Sequence, residues 1–312
     1  MKVIDQNKNL KIDIKAINNF AKNPASFVAD CESAYSTQLD NLVHKVQDGF
    51  GRYRIIALAG PSSSGKTTTA HKLSQAFDKR GICAPVVSLD DFYLGKMFYP
   101  KLPNGQPDME SVDALDLPLI NKTLKALIED GVASFPIFGF EKSCRSDKSN
   151  VISLGEDEVV IIEGIHALNP RLVEMLDKDK IFRAYVSTRT KYMLEDAEVL
   201  TPKDVRLIRR MVRDHNFRGR APVDTLLGWQ EVLDGEEKYI YPFRDDVEFK
   251  INSAIDYEGC VFHHYIHPII EELNKKEISL GKLKDLFEIL EMFDDIDSCY
   301  IPDDSLLREF VG

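Results

Sequence analysis

Residues 60–67 read Gly-Pro-Ser-Ser-Ser-Gly-Lys-Thr, which fits the pattern G-x-x-x-x-G-K-[ST] without a gap. The flanks constrain the chain further. Residues 54–59 (RIIALA) form a short apolar run with strand character, and residues 66–79 have helical spacing. A strand, a glycine-rich loop and a helix in that order gather loop amides and a helix N-terminus around one point, which makes an anion site. Glycine lacks the Cβ that would block so tight a turn. In such a loop the lysine, Lys66, reaches the β- and γ-phosphates of a nucleoside triphosphate, and the Thr67 hydroxyl coordinates magnesium. The expected nucleotide site is therefore Gly60, Ser62, Ser63, Ser64, Gly65, Lys66, Thr67 and Thr68. The motif alone does not separate a kinase from a switch GTPase or a motor.

The rest of the chain alternates. Residues 84–89, 133–138, 158–163, 181–187 and 246–252 read as further strands. Helical patterns lie between them at 117–130, 170–176 and 204–215. Strands alternating with helices imply a parallel sheet covered on both faces, and a continuous apolar run such as VVII fits burial on both sides. The expected fold is α/β, a P-loop NTPase of three α/β/α layers with a mainly parallel sheet. Residues 1–50 look helical, with Phe27, Val28, Tyr35, Leu39, Leu42, Val43 and Val46 at helical spacing. The expected division is a helical N-terminal extension over 1–50, a kinase domain over 51–275 and a helical C-terminal tail over 276–312. An arginine-rich lid falls at about 200–240 within the middle part.

Two acidic groups end strands. Asp90 follows the second strand, and ligands in open α/β sheets sit beyond the carboxyl ends of the strands. There a carboxylate can orient a hydroxyl and accept its proton, or help hold a metal; an ordinary helix N-cap is the alternative. Glu163 ends the run 159–163, and its carboxylate can hold magnesium directly or through water. Arg206, Arg209, Arg210 and Arg213 then recur at three- and four-residue steps, so several share one helix face. Arginine forks match phosphate oxygens. A mobile basic lid and a solvated face paired with Asp204 and Asp214 are both open readings of that helix.

Taken together, GPSSSGKTT, LDDFY, VVIIEGIHAL and DVRLIRRMVRDHNFRGR resemble the uridine kinase and phosphoribulokinase family over about residues 54–270. The resemblance implies ATP-dependent phosphoryl transfer to a small molecule, with magnesium as cofactor and a nucleoside such as uridine or cytidine as acceptor. It implies that Asp90 is the base and that Lys66 and Thr67 serve the phosphates and magnesium. Glu163 supports the metal, Arg206 contacts the acceptor, and Arg209, Arg213 and Arg218 are lid arginines, with Arg209 counted as catalytic. Tyr93 lies near the acceptor, and Glu110 stands where the family grips ribose hydroxyls. The base-reading segment departs from the family: Phe138 replaces its Tyr, Gly139 its Asp and Ser143 its His. A sugar-phosphate, glycerate or pantothenate type of acceptor therefore stays open, as does a non-catalytic nucleotide switch. Against the switch, Asn121-Lys122 and Asn274-Lys275 lack the final Asp of a guanine reader.

Composition narrows the partners. The net charge is −11 over 312 residues, which repels nucleic-acid backbones and anionic membranes. The five cysteines are scattered without a C-x-x-C pair, as suits a reducing cytosol. No signal-like or membrane-spanning apolar run is seen. The expectation is a cytoplasmic protein acting on ATP and a small molecule, with homo-oligomers allowed. His263 and His267 read as ordinary helix histidines, and Trp229 with the aromatics of 239–243 as core or lid packing.

Overall fold

The computed structural model describes residues 10–49, 51–139, 144–275 and 282–312. The first elements are β1 (Lys11–Asp13), α1 (Ile14–Ala21) and α2 (Pro24–Gln47). The described part of the extension therefore opens with a strand, and Asp13 caps α1 by accepting from the Lys15 amide. Next come β2 (Ile55–Ala59), α3 (Lys66–Asp78), β3 (Val86–Ser88) and α4 (Leu117–Asp130). They are followed by β4 (Val132–Gly139), β5 (Cys144–Ser153), β6 (Val160–Glu163) and β7 (Ile181–Ser187). Then β8 (Lys191–Leu194) and β9 (Ala197–Leu200) precede α5 (Pro202–Phe217), α6 (Pro222–Leu227) and α7 (Trp229–Tyr239). The chain closes with β10 (Phe249–Asn252), α8 (Glu258–Lys275), α9 (Lys282–Leu290) and α10 (Arg308–Val311).

Five strands form a parallel sheet in the order β10-β7-β2-β6-β3. β2 and β6 are buried at every position, which requires a helical layer on each face. Side chains alternate across β2. Ile55, Ala57 and Ala59 join one apolar core, with α4 and the β4–β5 hairpin. Ile56 and Leu58 join the other, with α2, α5, α8 and the C-terminal residues Leu306, Leu307 and Phe310. The terminal extensions thus share a core with the sheet. Leu42, Val43 and Val46 of α2 are fully excluded from solvent in that same core.

Two expected elements come out differently. Residues 133–138 are not in the parallel sheet: β4 pairs antiparallel with β5 as a separate hairpin. Pro136 has no N–H for a ladder, and the register shifts between Pro136 and Phe138. The half-exposed alternation of β4 also suits a ribbon with one wet face. Residues 170–176 hold only a 3₁₀ turn at Pro170–Leu172. Among the described residues, no helix is long and apolar enough to cross a membrane.

Candidate active site

β2 ends in the glycine-rich loop, and the sequence leaves little choice there. A Cβ on Gly60 would stand 2.1 Å from the Val186 carbonyl oxygen. Gly65 has φ +79°, and a Cβ on it would meet the Leu306 side chain at 2.7 Å. Within the loop the Ser63 and Ser64 hydroxyls are buried and find no partner among the described residues. Lys66 folds back and donates to the Pro61 carbonyl (3.1 Å), so its ammonium sits over the loop. Thr67, on the first turn of α3, is exposed.

The acids arrive from neighbouring strands. β6 lies between β2 and β3, with Glu163 in register with both Leu58 and Ser88. The Ser88 hydroxyl donates to Glu163 Oε1 (2.7 Å) and accepts from the Asp90 amide (3.4 Å). Asp90 stands on the 3₁₀ turn Leu89–Phe92, crowded by protein yet open to solvent, as at the floor of a cleft. Desolvation pushes the Asp90 carboxyl above its ordinary range, while Lys66 and Arg218 pull it back. Glu163 is raised for the same reason, with Lys66 lowering it and Asp90 raising it. Lys66, Asp90 and Glu163 therefore share one electrostatic field. The adjacent Asp91 is occupied elsewhere: its Oδ1 accepts from the Phe138 amide (2.9 Å), tying the hairpin to this turn.

The arginines of α5 separate. Arg209 is fully buried: its Nε donates to Glu258 (2.7 Å), its Nη2 to the Ser253 carbonyl (2.7 Å), and it lies over the Phe310 ring. The expectation of Arg209 as a catalytic lid arginine is thus corrected; packing against Glu258 of α8 holds it in the core. Arg206 is also inside, paired with Glu236 (2.8 Å) and donating to the Ser62 carbonyl (3.0 Å), so it grips the loop rather than presenting a free fork to an acceptor. Arg210, which the sequence reading gave no site role, donates to Ser62 Oγ (2.8 Å), and Glu110 counts among the charges acting on it. The signal for it was the same helical spacing that singled out its neighbours. Arg213 is held by the buried Asp214 (2.8 Å). Arg218 is more open, and the charges of Asp90 and Glu309 both act on it.

Across the cleft, Tyr93 packs between Tyr99 (5.7 Å) and Phe138 (6.0 Å) as an aromatic wall. Burial, Asp90 and Glu110 raise the Tyr93 hydroxyl well above its usual range. Burial pushes Glu110 up to about 7, against the pull of Arg210 and Lys66. Phe140 and Ser143 lie outside the described residues, so the departure at 143 has no structural account.

The largest surprise is C-terminal. The Thr68 hydroxyl donates to Glu309 Oε2 (2.6 Å), Leu306 covers Gly65, and Lys72 pairs with Asp304 (3.0 Å). Residues of the tail thus cap the first turn of the phosphate-loop helix. Nothing in local spacing announces this contact. His263 and His267 share Glu291 at 3.2 and 3.3 Å, a grouping the helix pattern alone did not contain. A cavity of about 540 Å³ touches the loop cluster at Pro61 and Arg206, and its lining includes neither Asp90 nor Glu163.

Comparison with known proteins gives a consistent result. The profile of the phosphoribulokinase / uridine kinase family matches residues 55–257. A uridine kinase of Clostridium botulinum (strain Kyoto / Type A2) is 33% identical over 174 residues, covering 55% of this chain and 74% of that one. A uridine kinase of Ureaplasma parvum serovar 3 is 25% identical over 221 residues, covering 70% of this chain and 97% of that one. In fold, the chain is similar to the crystal structure of a putative fructose transport system kinase from Silicibacter sp. TM1040. The TM-score is 0.52 at 20% identity, over 68% of this chain and 98% of that one.

Proposed function

Because the chain belongs to the phosphoribulokinase / uridine kinase family, we propose that it transfers the γ-phosphoryl group of ATP to a hydroxyl of a nucleoside, with uridine or cytidine as acceptor and the 5′-monophosphate as product. The observation that carries this reading is the meeting of Lys66, Asp90 and Glu163 at the mouth of one glycine-rich loop. Asp90 orients the acceptor hydroxyl and takes its proton; a carboxyl raised by burial is a better base than a free one. Lys66 and Arg218 offset negative charge on the transferring group. The oxygen donors Thr67 and Glu163, with Asp90 beside them, fit a hard divalent cation such as magnesium. Such an ion, when bound, neutralises the phosphate oxygens. The tilted rings of Tyr93, Tyr99 and Phe138 form an apolar aromatic cluster beside Asp90, a chemistry suited to a nucleobase.

A different small acceptor, of the sugar-phosphate, glycerate or pantothenate type, is favoured by one observation: Phe138 and Gly139 have no polar side chain to read a base. A panel of nucleosides, sugar phosphates, glycerate and pantothenate, assayed for acceptor-stimulated ADP release with magnesium-ATP, decides between them. Asp90→Asn is expected to lower kcat by ~10²–10⁴-fold while ATP still binds. Unchanged turnover in that variant removes Asp90 from the mechanism.

A further inference from the structure

Helix α8 carries His263 and His267 four residues apart, so both rings stand on one face, a turn from each other. That face meets Glu291, the residue just past α9. The two carboxylate oxygens of Glu291 are divided between the rings. Oε2 lies 3.2 Å from His263 Nε2, and Oε1 lies 3.3 Å from His267 Nε2. One ligand atom from each of the three residues falls within 4.8 Å of the others. A tetrahedral ion with bonds of ~2.0–2.1 Å to nitrogen and oxygen sets its donor atoms ~3.3 Å apart. Both histidine–glutamate separations have that length.

His263 supplies a second, independent observation. Its Nδ1 is sealed from solvent and makes no hydrogen bond among the described residues, while the Asp295 carboxylate stands 3.9 Å away. A neutral imidazole has one N–H, so it cannot donate to Glu291 and to Asp295 at once. Whichever nitrogen lacks the proton turns its lone pair on a carboxylate. Protonating both rings instead sets two cations a turn apart, with centroids separated by 5.1 Å. A metal ion on Nε2 removes the conflict: Nδ1 keeps its proton and faces Asp295, the arrangement in which a carboxylate orients a ligating histidine. Two imidazoles and a carboxylate suit a zinc-like ion, whereas magnesium prefers oxygen donors.

We propose that His263, His267 and Glu291 bind one zinc-class divalent cation, using none of the residues of the phosphate cradle. The ion pins the end of α9 to α8 at the point where the C-terminal strap begins. From there Phe293 packs against Gly259 and the Tyr192 ring, and the Ile296 amide donates to the Cys260 carbonyl (3.3 Å). Three protein ligands leave a fourth position for water.

The test uses the full chain, stripped with EDTA and dialysed. Zinc is titrated by calorimetry in excess magnesium, and cobalt serves as the spectroscopic probe. Wild type is expected to take up one equivalent of zinc, and zinc in ~100-fold excess over its Kd should raise Tm by ~5 °C. Cobalt should show d–d absorption without a thiolate-to-metal band, which excludes the cysteines. His267→Ala and Glu291→Gln alter half-exposed side chains, so the fold survives them. Each should weaken zinc binding at least ~10-fold and abolish the Tm shift, and Asp295→Asn should weaken it ~10-fold. No saturable uptake, equal affinity in His267→Ala or Glu291→Gln, displacement by magnesium or a thiolate band with cobalt each overturns the site. The cluster is then only a pair of histidines sharing one glutamate. No readout involves phosphoryl transfer, so the result is independent of the proposed function.

Discussion

Arg209 and Arg218 carry the same charged group about two and a half turns apart on one segment, yet they face opposite environments. Arg209 is sealed against Glu258, with neither side chain more than 2% exposed. Its partner is what makes that burial tolerable: Glu258→Ala leaves a buried guanidinium uncompensated, at a cost of ~3–5 kcal/mol. Urea denaturation should show that loss, and a fall below ~1 kcal/mol would mean that water reaches the site. Glu110 offers a second residue-level prediction. Its ordinary value of 4.5 rises to about 7 in the fold, so the folded protein keeps a proton that the unfolded chain releases. The stability this contributes is present below pH 4.5 and lost as pH rises through 7. Glu110→Gln removes that slope. The stability difference between variant and wild type should shift in favour of the variant by ~1–2 kcal/mol across this window, after allowance for partial exposure. A flat difference over pH 4.5–7 refutes the raised carboxyl.

At the scale of elements, the C-terminal strap is the unexpected one. Helix α10 has four residues, too few to be stable alone. It is held because Leu306, Leu307 and Phe310 are wholly buried in the core beside α5 and α8. That docking sets the Glu309 carboxylate on the Thr68 hydroxyl, at the positive end of α3. A triphosphate arriving at the same helix end brings like charge. Glu309→Gln is therefore expected to bind ATP about two- to fivefold more tightly by calorimetry, for ~0.5–1 kcal/mol of relieved repulsion. Weaker binding in Glu309→Gln would show instead that the strap helps to hold the nucleotide. The β4–β5 hairpin is positioned by similar tertiary ties: Asp91 accepts from the Phe138 amide, and Arg145 donates to Asp116 (2.9 Å) and to the Phe92 carbonyl (3.1 Å).

The whole molecule should behave as one cooperative unit, because a single apolar core joins α2, one face of the sheet, α5, α8 and α10. Trp229 is the one tryptophan, sits in α7 under the Arg206 guanidinium and reports on the contact between α5 and α7. Its fluorescence and the far-UV signal should trace the same urea transition. Leu42→Ala, deep in α2, should move both together by ~2–5 kcal/mol. Separate transitions would mean that the N-terminal helices fold by themselves.

Local physics made much of this readable in advance. The loop 60–67 is dictated by glycines that nothing else can replace, and β7 and α4 fall where periodicity put them, at Ile181–Ser187 and Leu117–Asp130. The apolar residues picked out at helical spacing in α2 are those found buried. What periodicity cannot supply is the partner of a face. It groups the arginines of α5 but not which of them turns inward to Glu258, because that glutamate belongs to α8. It gives β4 as a strand but not its pairing, which β5 provides. Nor does it bring Glu309 to Thr68 or leave both nitrogens of His166 idle. Spacing along a chain fixes what a residue's neighbours on its own element are; only packing between distant elements fixes which charges are matched and which buried polar groups are left without a partner among the described residues.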